Sequence, residues 1–318
     1  MTLSRPATKL ANALCLVPIA ACAPPMPECA SVPYDQESMR ADVEWLAAPE
    51  LDGRVPGTAG DAEARRMVSS RFECFGLSTI DGGSSYEQPF TDASDRSTAN
   101  VVGVVEGADD TLAQDIVLVS AHLDHLGDGK LGANDNASGV TGLLAIAQDL
   151  ADQDAPARTV VFAAFGSEES GYEGSDYFYW EGAGFDSTDI VYSINLDMIG
   201  SYDSEGIVYA LGTMPETPAR PLLESAMADF PDLEVGLGEA AGESDHETFC
   251  RQGVPYVFFW TEDPACYHRR CDTADVIDYD NLVEIAALAG TLTASLANTA
   301  VDLRASVSVG TDVCGIEE

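Results

Sequence analysis

The chain has 318 residues and carries 54 acidic against 15 basic side chains, which gives a formal net charge of −39. This charge excludes the basic footprint that nucleic-acid binding or docking on anionic lipid requires. Hydrophobic residues make up 46% of the chain, so a sizeable core is available and global disorder is excluded. We therefore expect one large α/β domain, or two ordinary ones, with an acidic and solvated surface.

The N-terminus has the pattern of an export signal over residues 1–21. Two basic residues precede an apolar run over 10–20, which is too short to span a bilayer. The run ends in Ile-Ala-Ala-Cys, which resembles a bacterial lipobox, so Cys22 would become the lipidated first residue. Cleavage near Ala21 or Ala23 with release in soluble form is the alternative. We expect a periplasmic or outer-membrane lipoprotein, or an extracellular protein, whose membrane link is at most the lipid anchor.

Eight cysteines occur in the chain, and two of them, Cys15 and Cys22, lie in the signal region. The other six form an even set that is consistent with three disulfides in an oxidising compartment. Local spacing favours one pair, Cys266 with Cys271. The pairing of the remaining four stays open: Cys29, Cys74, Cys250 and Cys314. A thiolate metal site is the rival interpretation, but the chain has no CxxC pair of the usual kind.

In chain order, a proline-rich tether over 22–34 precedes a domain predicted over 35–304, with a tail over 305–318. Apolar spacing predicts helices before residue 76, and from residue 100 strands alternate with helices. The predicted strands are 101–105, 116–121, 159–165, 190–196, 207–211 and 255–260. The predicted helices are 37–48, 61–75, 137–150, 175–182, 219–230 and 281–303. Near-continuous apolar strands between helices indicate an α/β fold with a mostly parallel central sheet and helices on both faces.

Polar side chains follow four of these strands where each strand ends. They are His122 and Asp124, then Glu168 and Glu169, then Asp197, then Tyr267, His268 and Asp272, with Asp135 just before a helix. The carboxyl ends of parallel strands share one edge of a sheet, where ligands bind. Taken singly, each residue has an ordinary structural interpretation, such as a helix N-cap for Asp135.

Taken together, so many carboxylates at one edge would repel one another unless cations neutralise them. Imidazole with carboxylate and without thiolate favours zinc, with manganese or cobalt as substitutes. The pattern therefore predicts a metal site at this edge.

Six segments, in order, resemble the co-catalytic zinc exopeptidases of the bacterial leucyl aminopeptidase and aminopeptidase Y family. They are HLDHLG at 122–127, GANDNASG at 132–139, GSEESG at 166–171, NLDMIG at 195–200, SDHETFCRQGVP at 244–255 and YHRRCDT at 267–273. The resemblance spans nearly all of the chain after the tether. It implies a zinc-peptidase fold, a three-layer sandwich like that of phosphorylase and hydrolase domains.

The resemblance also implies two zinc ions per chain, with Asp135 bridging them. His122 and Asp197 would complete the ligand set of one ion, and Glu169 and His268 that of the other. Glu168 would be the general base for a zinc-activated water, and Tyr267 would donate to the developing oxyanion.

Supporting residues are implied as well. Asp124 would accept a hydrogen bond from the second ring nitrogen of His122, and a Cys266–Cys271 disulfide would clamp the loop that bears Tyr267. Asp245 would face the site or cap the helix that follows it. His125 is expected to be structural or solvent-exposed, and Arg54 structural.

The function implied is a metallo-aminopeptidase that acts on peptide or protein N-termini as a monomer. A carboxypeptidase on the same scaffold would need a cation for the terminal carboxylate, and the nearest ones are Arg251, Arg269 and Arg270. A glutaminyl cyclase is a second alternative, although such relatives tend to use one zinc. A non-catalytic binding module is the third.

Overall fold

The computed structural model describes residues 24–29, 34–80, 82–182, 184–240 and 243–304. The predicted signal, its Cys22 and the predicted tail over 305–318 lie outside these residues. The single-domain boundaries stay a prediction.

Within this part of the chain, nine strands form one mixed sheet. They are β1 (Ser78–Thr79), β2 (Glu87–Thr91), β3 (Ser97–Val105), β4 (Ile116–His122), β5 (Thr159–Phe165), β6 (Ile190–Leu196), β7 (Val208–Leu211), β8 (Val235–Gly238) and β9 (Tyr256–Trp260). Their order is β1-β3-β5-β4-β6-β9-β7-β8, with β2 also paired to β3. The central strands β5-β4-β6-β9 run parallel, whereas β3 and β7 pair antiparallel with this centre. The α/β class is confirmed, and parallel pairing is concentrated in the centre that carries the site.

The helices of the described residues follow most of the predicted ranges. They are α1 (Gln36–Leu46), α2 (Ala59–Phe75), α3 (Gly139–Ala151), α4 (Glu173–Tyr177), α5 (Tyr202–Glu205), α6 (Arg220–Met227), α7 (His246–Arg251) and α8 (Tyr279–Asn298). The helix predicted over 175–182 is instead α4 followed by a wider helical turn, Phe178–Gly182. Side-chain caps explain where three helices begin, because Asp35, Thr58 and Asp278 each accept a hydrogen bond from a main-chain N–H three residues on.

Successive residues of β4 point to opposite faces of the sheet, as strand geometry requires. Val117 and Val119 pack into the large core under α1, α2, α3 and α8. Ile116 and Leu118 pack on the other face against aromatic side chains that include Phe249 of α7. The sheet is therefore covered on both sides, and the predicted three-layer arrangement is confirmed.

The stretch over 24–29 is fastened to the domain. Trp45 Nε1 of α1 donates to the carbonyl of Pro24 at 3.0 Å, and a disulfide joins Cys29 to Cys74 of α2. A covalent bond and a core contact therefore hold these residues, and the tether over 22–34 stays a prediction. Among the described helices, none has the length and apolar character needed to cross a membrane.

Arg54 ties three parts of the chain together beneath the strand ends. It is buried, and its guanidinium donates to the main-chain carbonyls of Leu46, Leu123, Leu131 and Gly132 at 2.7–2.9 Å. These carbonyls lie at the end of α1, after β4 and in the loop before α3. The predicted structural role of Arg54 is thus borne out by its contacts.

Replacing Arg54 by Met should lower the free energy of unfolding by about 3 kcal/mol or more, since three buried carbonyls and one part-buried carbonyl lose a charged donor. Urea denaturation of the metal-free protein measures the change. Arg66→Met is the matched control, because Arg66 is an exposed residue of α2 paired with Glu63, and its loss should cost about 0.5 kcal/mol at most. Equal effects of the two substitutions would contradict the role given to Arg54.

Candidate metal centre

The polar residues predicted to converge do meet at the carboxyl edge of the parallel strands. His122 ends β4, the Glu168–Glu169 turn follows β5, and Asp197 follows β6 directly. Asp135 lies in the loop before α3, and His268 lies in the loop after β9. The convergence follows from the parallel register of the central strands.

Two sets of donor atoms meet at Asp135. On one side, His122 Nε2 lies 3.1 Å from Asp135 Oδ1 and 3.2 Å from Asp197 Oδ1. On the other side, His268 Nε2 lies 3.2 Å from Asp135 Oδ2 and 3.2 Å from Glu169 Oε2. Each carboxylate oxygen of Asp135 therefore serves a different set.

The donor atoms fit zinc. Asp135 Oδ2 and Glu169 Oε1 are buried and have no hydrogen-bond partner, and a buried anionic oxygen without a partner is costly. A cation between the side chains would satisfy these oxygens. Imidazole and carboxylate donors without thiolate are typical of zinc sites with catalytic roles.

Main-chain contacts hold the loop that carries Asp135. The carboxylate of Asp272 accepts from the N–H groups of Asn134 and Asp135 at 2.7 and 3.1 Å. Asn136 Nδ2 donates to the carbonyl of Leu196 at the end of β6, at 3.0 Å. Sequence reasoning assigned neither supporting role. The position of Asp272 after a predicted strand, among the other acids, was the only signal.

The expected hydrogen bond between His122 and the Asp124 carboxylate is not the one formed. His122 Nδ1 donates at 3.0 Å to the main-chain carbonyl of Asp124, whereas the carboxylate accepts from the N–H groups of Glu168 at 2.9 Å and Glu169 at 3.4 Å. That prediction is wrong, because the chain turns after β4 and brings the carbonyl to the ring. Asp124 still supports the site, since its carbonyl orients His122 and its carboxylate orients the glutamate turn.

Electrostatics set Glu168 apart from an ordinary surface glutamate. Burial raises the pKa of Glu168 well above its usual value, and the charges of Asp245, Asp197 and Asp124 raise it further while His122 opposes them. Burial likewise raises the pKa of Asp245 to about 7. Asp245 lies at the start of α7 without a side-chain capping bond, and its charge acts on Glu168.

The loop after β9 is closed by the predicted Cys266–Cys271 disulfide, which is present. Tyr267 is 49% exposed, and its ring stacks on that of His268 with centroids 3.9 Å apart. Burial raises the pKa of Tyr267, and the nearby charges of Asp135 and Glu169 add to the effect. The phenol thus stays protonated beside the donor sets and retains a hydrogen to donate. Cys250 also takes part in a disulfide.

A cavity of about 320 Å³ opens onto the donor sets. Met198, Phe258 and Trp260 give it an apolar wall, and Glu243 and Glu262 add further carboxylates. Among the described residues that line it, Arg269 is the only arginine or lysine. The cavity therefore remains rich in negative charge beyond the donor sets.

The structure corrects one expectation about His125. The alternative of a solvent-exposed side chain is wrong, because His125 is 1% exposed. Its Nδ1 lies 2.7 Å from Glu169 Oε1 and 3.6 Å from Asp135 Oδ2. The signal in the sequence was a second histidine three residues after His122, at the end of the same strand.

Comparisons with known proteins identify the family and the fold of the chain. The family model for Peptidase family M28 matches residues 100–293, more than half of the chain. An "Aminopeptidase" of Pseudomonas aeruginosa is 30% identical over 194 residues, which cover 52% of this chain and 36% of that protein. The chain thus spans about a third of the length of that curated relative.

Among solved structures, a zinc aminopeptidase from Bacillus subtilis has the same fold, with a TM-score of 0.70, 16% identity, and coverage of 85% of this chain and 97% of that chain. A glutaminyl cyclase from Bacteroides thetaiotaomicron gives a TM-score of 0.65 at 19% identity, covering 83% of this chain and 98% of that one. These two structural similarities establish the fold, and the match to the family model establishes the family. The chain belongs to Peptidase family M28.

Proposed function

We propose that this chain is a di-zinc aminopeptidase that hydrolyses the N-terminal residue of peptides. The observation that carries the proposal is the division of Asp135 between two donor sets, with Oδ1 3.1 Å from His122 Nε2 and Oδ2 3.2 Å from His268 Nε2. A single ion would leave one of these sets, with its buried acid, uncompensated. Membership of a peptidase family supports the same conclusion.

One zinc would be held by His122, Asp135 and Asp197, and the other by Asp135, Glu169 and His268. Bound zinc supplies Lewis-acid polarisation of the scissile carbonyl and makes water more acidic near neutral pH. The remaining chemistry falls to the side chains around the cavity.

Glu168 acts as the general base. Its carboxylate takes a proton from the attacking water and later gives that proton to the leaving amine nitrogen. A raised pKa suits both steps, because the carboxylate binds the proton strongly enough to remove it and then releases it to a more basic amine. Tyr267 donates its phenolic hydrogen to the carbonyl oxygen as negative charge develops there.

The charge of the cavity favours a free N-terminus. An α-ammonium group meets carboxylates such as Glu243 and Glu262, whereas a C-terminal carboxylate would meet Arg269 alone. Arg269 already donates to the carbonyl of Ala265 at 2.8 Å. The other cations near the motifs are paired elsewhere, Arg251 with Glu247 and Arg270 with Asp128. A carboxypeptidase is therefore the less favoured activity.

A glutaminyl cyclase is the second alternative, since one such enzyme shares the fold. The second donor set, with Glu169 and His268, favours the peptidase, because the cyclases are expected to use one zinc. The buried Glu168 argues against a non-catalytic binding module, because binding alone does not require a buried general base. We also propose export, because the Cys29–Cys74 and Cys266–Cys271 disulfides suit an oxidising compartment.

The direct test is a panel of aminoacyl-nitroanilides, N-blocked peptides and N-terminal glutaminyl peptides, assayed on zinc-loaded protein. We expect release from free N-termini only, loss of that release with a chelator, and recovery when zinc is restored. Cleavage from the C-terminus, or cyclisation without hydrolysis, would replace the proposed activity with one of its alternatives.

Glu168→Gln should lower kcat by about 10²–10⁴-fold, the contribution of a general base, while two zinc ions per chain are retained. Kinetics together with metal analysis of the same sample measure both quantities. Glu181→Gln, at an exposed glutamate after α4, should leave kcat unchanged. A fully active Glu168→Gln enzyme would refute the assignment of the base.

Asp245→Asn should shift the acidic limb of the kcat/KM pH profile to lower pH by about half to one pKa unit. The base works when deprotonated, and the charge of Asp245 raises the pKa of Glu168, so removing that charge lets Glu168 lose its proton at lower pH. Asp128→Asn, at an exposed aspartate, should leave the profile in place. A limb that moves to higher pH would show that Asp245 acts in another way.

A further inference from the structure

The chain has four histidines, and three of them lie at the metal centre. The donor sets described above use His122 and His268 and leave His125 without a role. Yet the ring of His125 lies 5.8 Å from that of His268, edge to face. His125 is also the more deeply buried of the two, with 0% of its side chain exposed against 36% for His268.

Three buried atoms without a hydrogen-bond partner face one another at this point. They are His125 Nδ1, Asp135 Oδ2 and Glu169 Oε1, and the three side chains place one donor atom each within 4.8 Å of the other two. The nitrogen lies 2.7 Å from Glu169 Oε1, yet neither atom has a hydrogen-bond partner. A cation among the three atoms would satisfy all of them at once.

The loop is built to bring this ring inward. Leu123 continues the strand pairing through its N–H, which donates to the carbonyl of Phe165 at 2.7 Å. Gly132 then lies close against the His125 side chain with a φ of +67°, and a Cβ there would lie 2.6 Å from His125 Cγ and 2.3 Å from the Asp135 carbonyl oxygen. Only glycine fits this approach. The close packing fixes the imidazole beside the two carboxylates.

We propose that His125 is a fourth protein ligand, through Nδ1, of the zinc held by Asp135, Glu169 and His268. The inference rests on the proposed two-zinc function. It gives the zinc at Glu169 two imidazole ligands, whereas the zinc at Asp197 has one. Four protein ligands are typical of a zinc that stabilises structure, and three of a zinc that keeps a position open for water or substrate. The two ions would thus be unequal, with the ion at His122 the more open to substrate.

The test is zinc binding by the metal-free full-length chain, titrated in competition with a chromophoric chelator, for wild type, His125→Ala and His125→Asn. Asparagine places an amide N–H near the position of Nδ1, so it can still orient Glu169 but is a poor zinc ligand. We expect the wild-type chain to bind two equivalents of zinc. In both variants we expect one equivalent to weaken by about 100-fold or more, at the upper limit of what loss of an orienting group costs. Co²⁺ in the weakened position should also show a changed visible spectrum.

His246→Phe is the matched control, because His246 is equally buried but stacks between Tyr256 and Phe258, and phenylalanine keeps that stacking. It should bind both equivalents as wild type does, and the unaffected equivalent in each His125 variant reports that the variant is folded. Normal affinity in His125→Asn with loss in His125→Ala would overturn the ligand role in favour of an orienting one. Normal affinity in both would overturn any role toward the metal. A wild type that binds a single zinc would instead overturn the two-zinc proposal, and this inference with it.

Discussion

Mutual repulsion among buried carboxylates is the constraint on which the rest of this molecule depends. The carboxylates of Asp124, Asp135, Glu168, Asp197 and Asp245 are all buried at one edge of the sheet, where charges interact more strongly than in water. The chain compensates these charges only in part. Asp124 accepts from two main-chain N–H groups, and the raised pKa values of Glu168 and Asp245 reflect the cost that is left. The metal donor sets contain buried carboxylate oxygens that no hydrogen bond satisfies, at Asp135 and Glu169.

Arg54 gives the same edge a permanent positive charge without occupying it. Burial lowers its pKa to about 10, and the neighbouring acids, Asp272 and Asp124 foremost, oppose the lowering, so the guanidinium stays charged at neutral pH. Its hydrogen bonds all go to carbonyls, which leaves the carboxylates available. A residue outside the site thus shapes its loops and offsets part of its charge.

Sequence reasoning located the centre of the sheet well, because β4, β5, β6 and β9 are buried on both faces and their sequences are nearly continuous apolar runs. It therefore also located the polar residues at their ends. It missed β8, whose Val-Gly-Leu-Gly sequence is short and rich in glycine. The partner of His122 Nδ1 was missed for a different reason, since spacing does not tell whether a carbonyl or a carboxylate meets a ring. His125 packs closely against Gly132, a contact within the loop between β4 and α3 that no local pattern encodes.

The sharing of Asp135 has a thermodynamic consequence. In the proposed two-zinc centre, one carboxylate with an oxygen in each donor set would make the two ion-binding equilibria parts of a single linked system. Whatever factor the first ion applies to the affinity for the second, the second must apply to the first. In that centre, occupancy of one position would therefore change the affinity of the other for its ion.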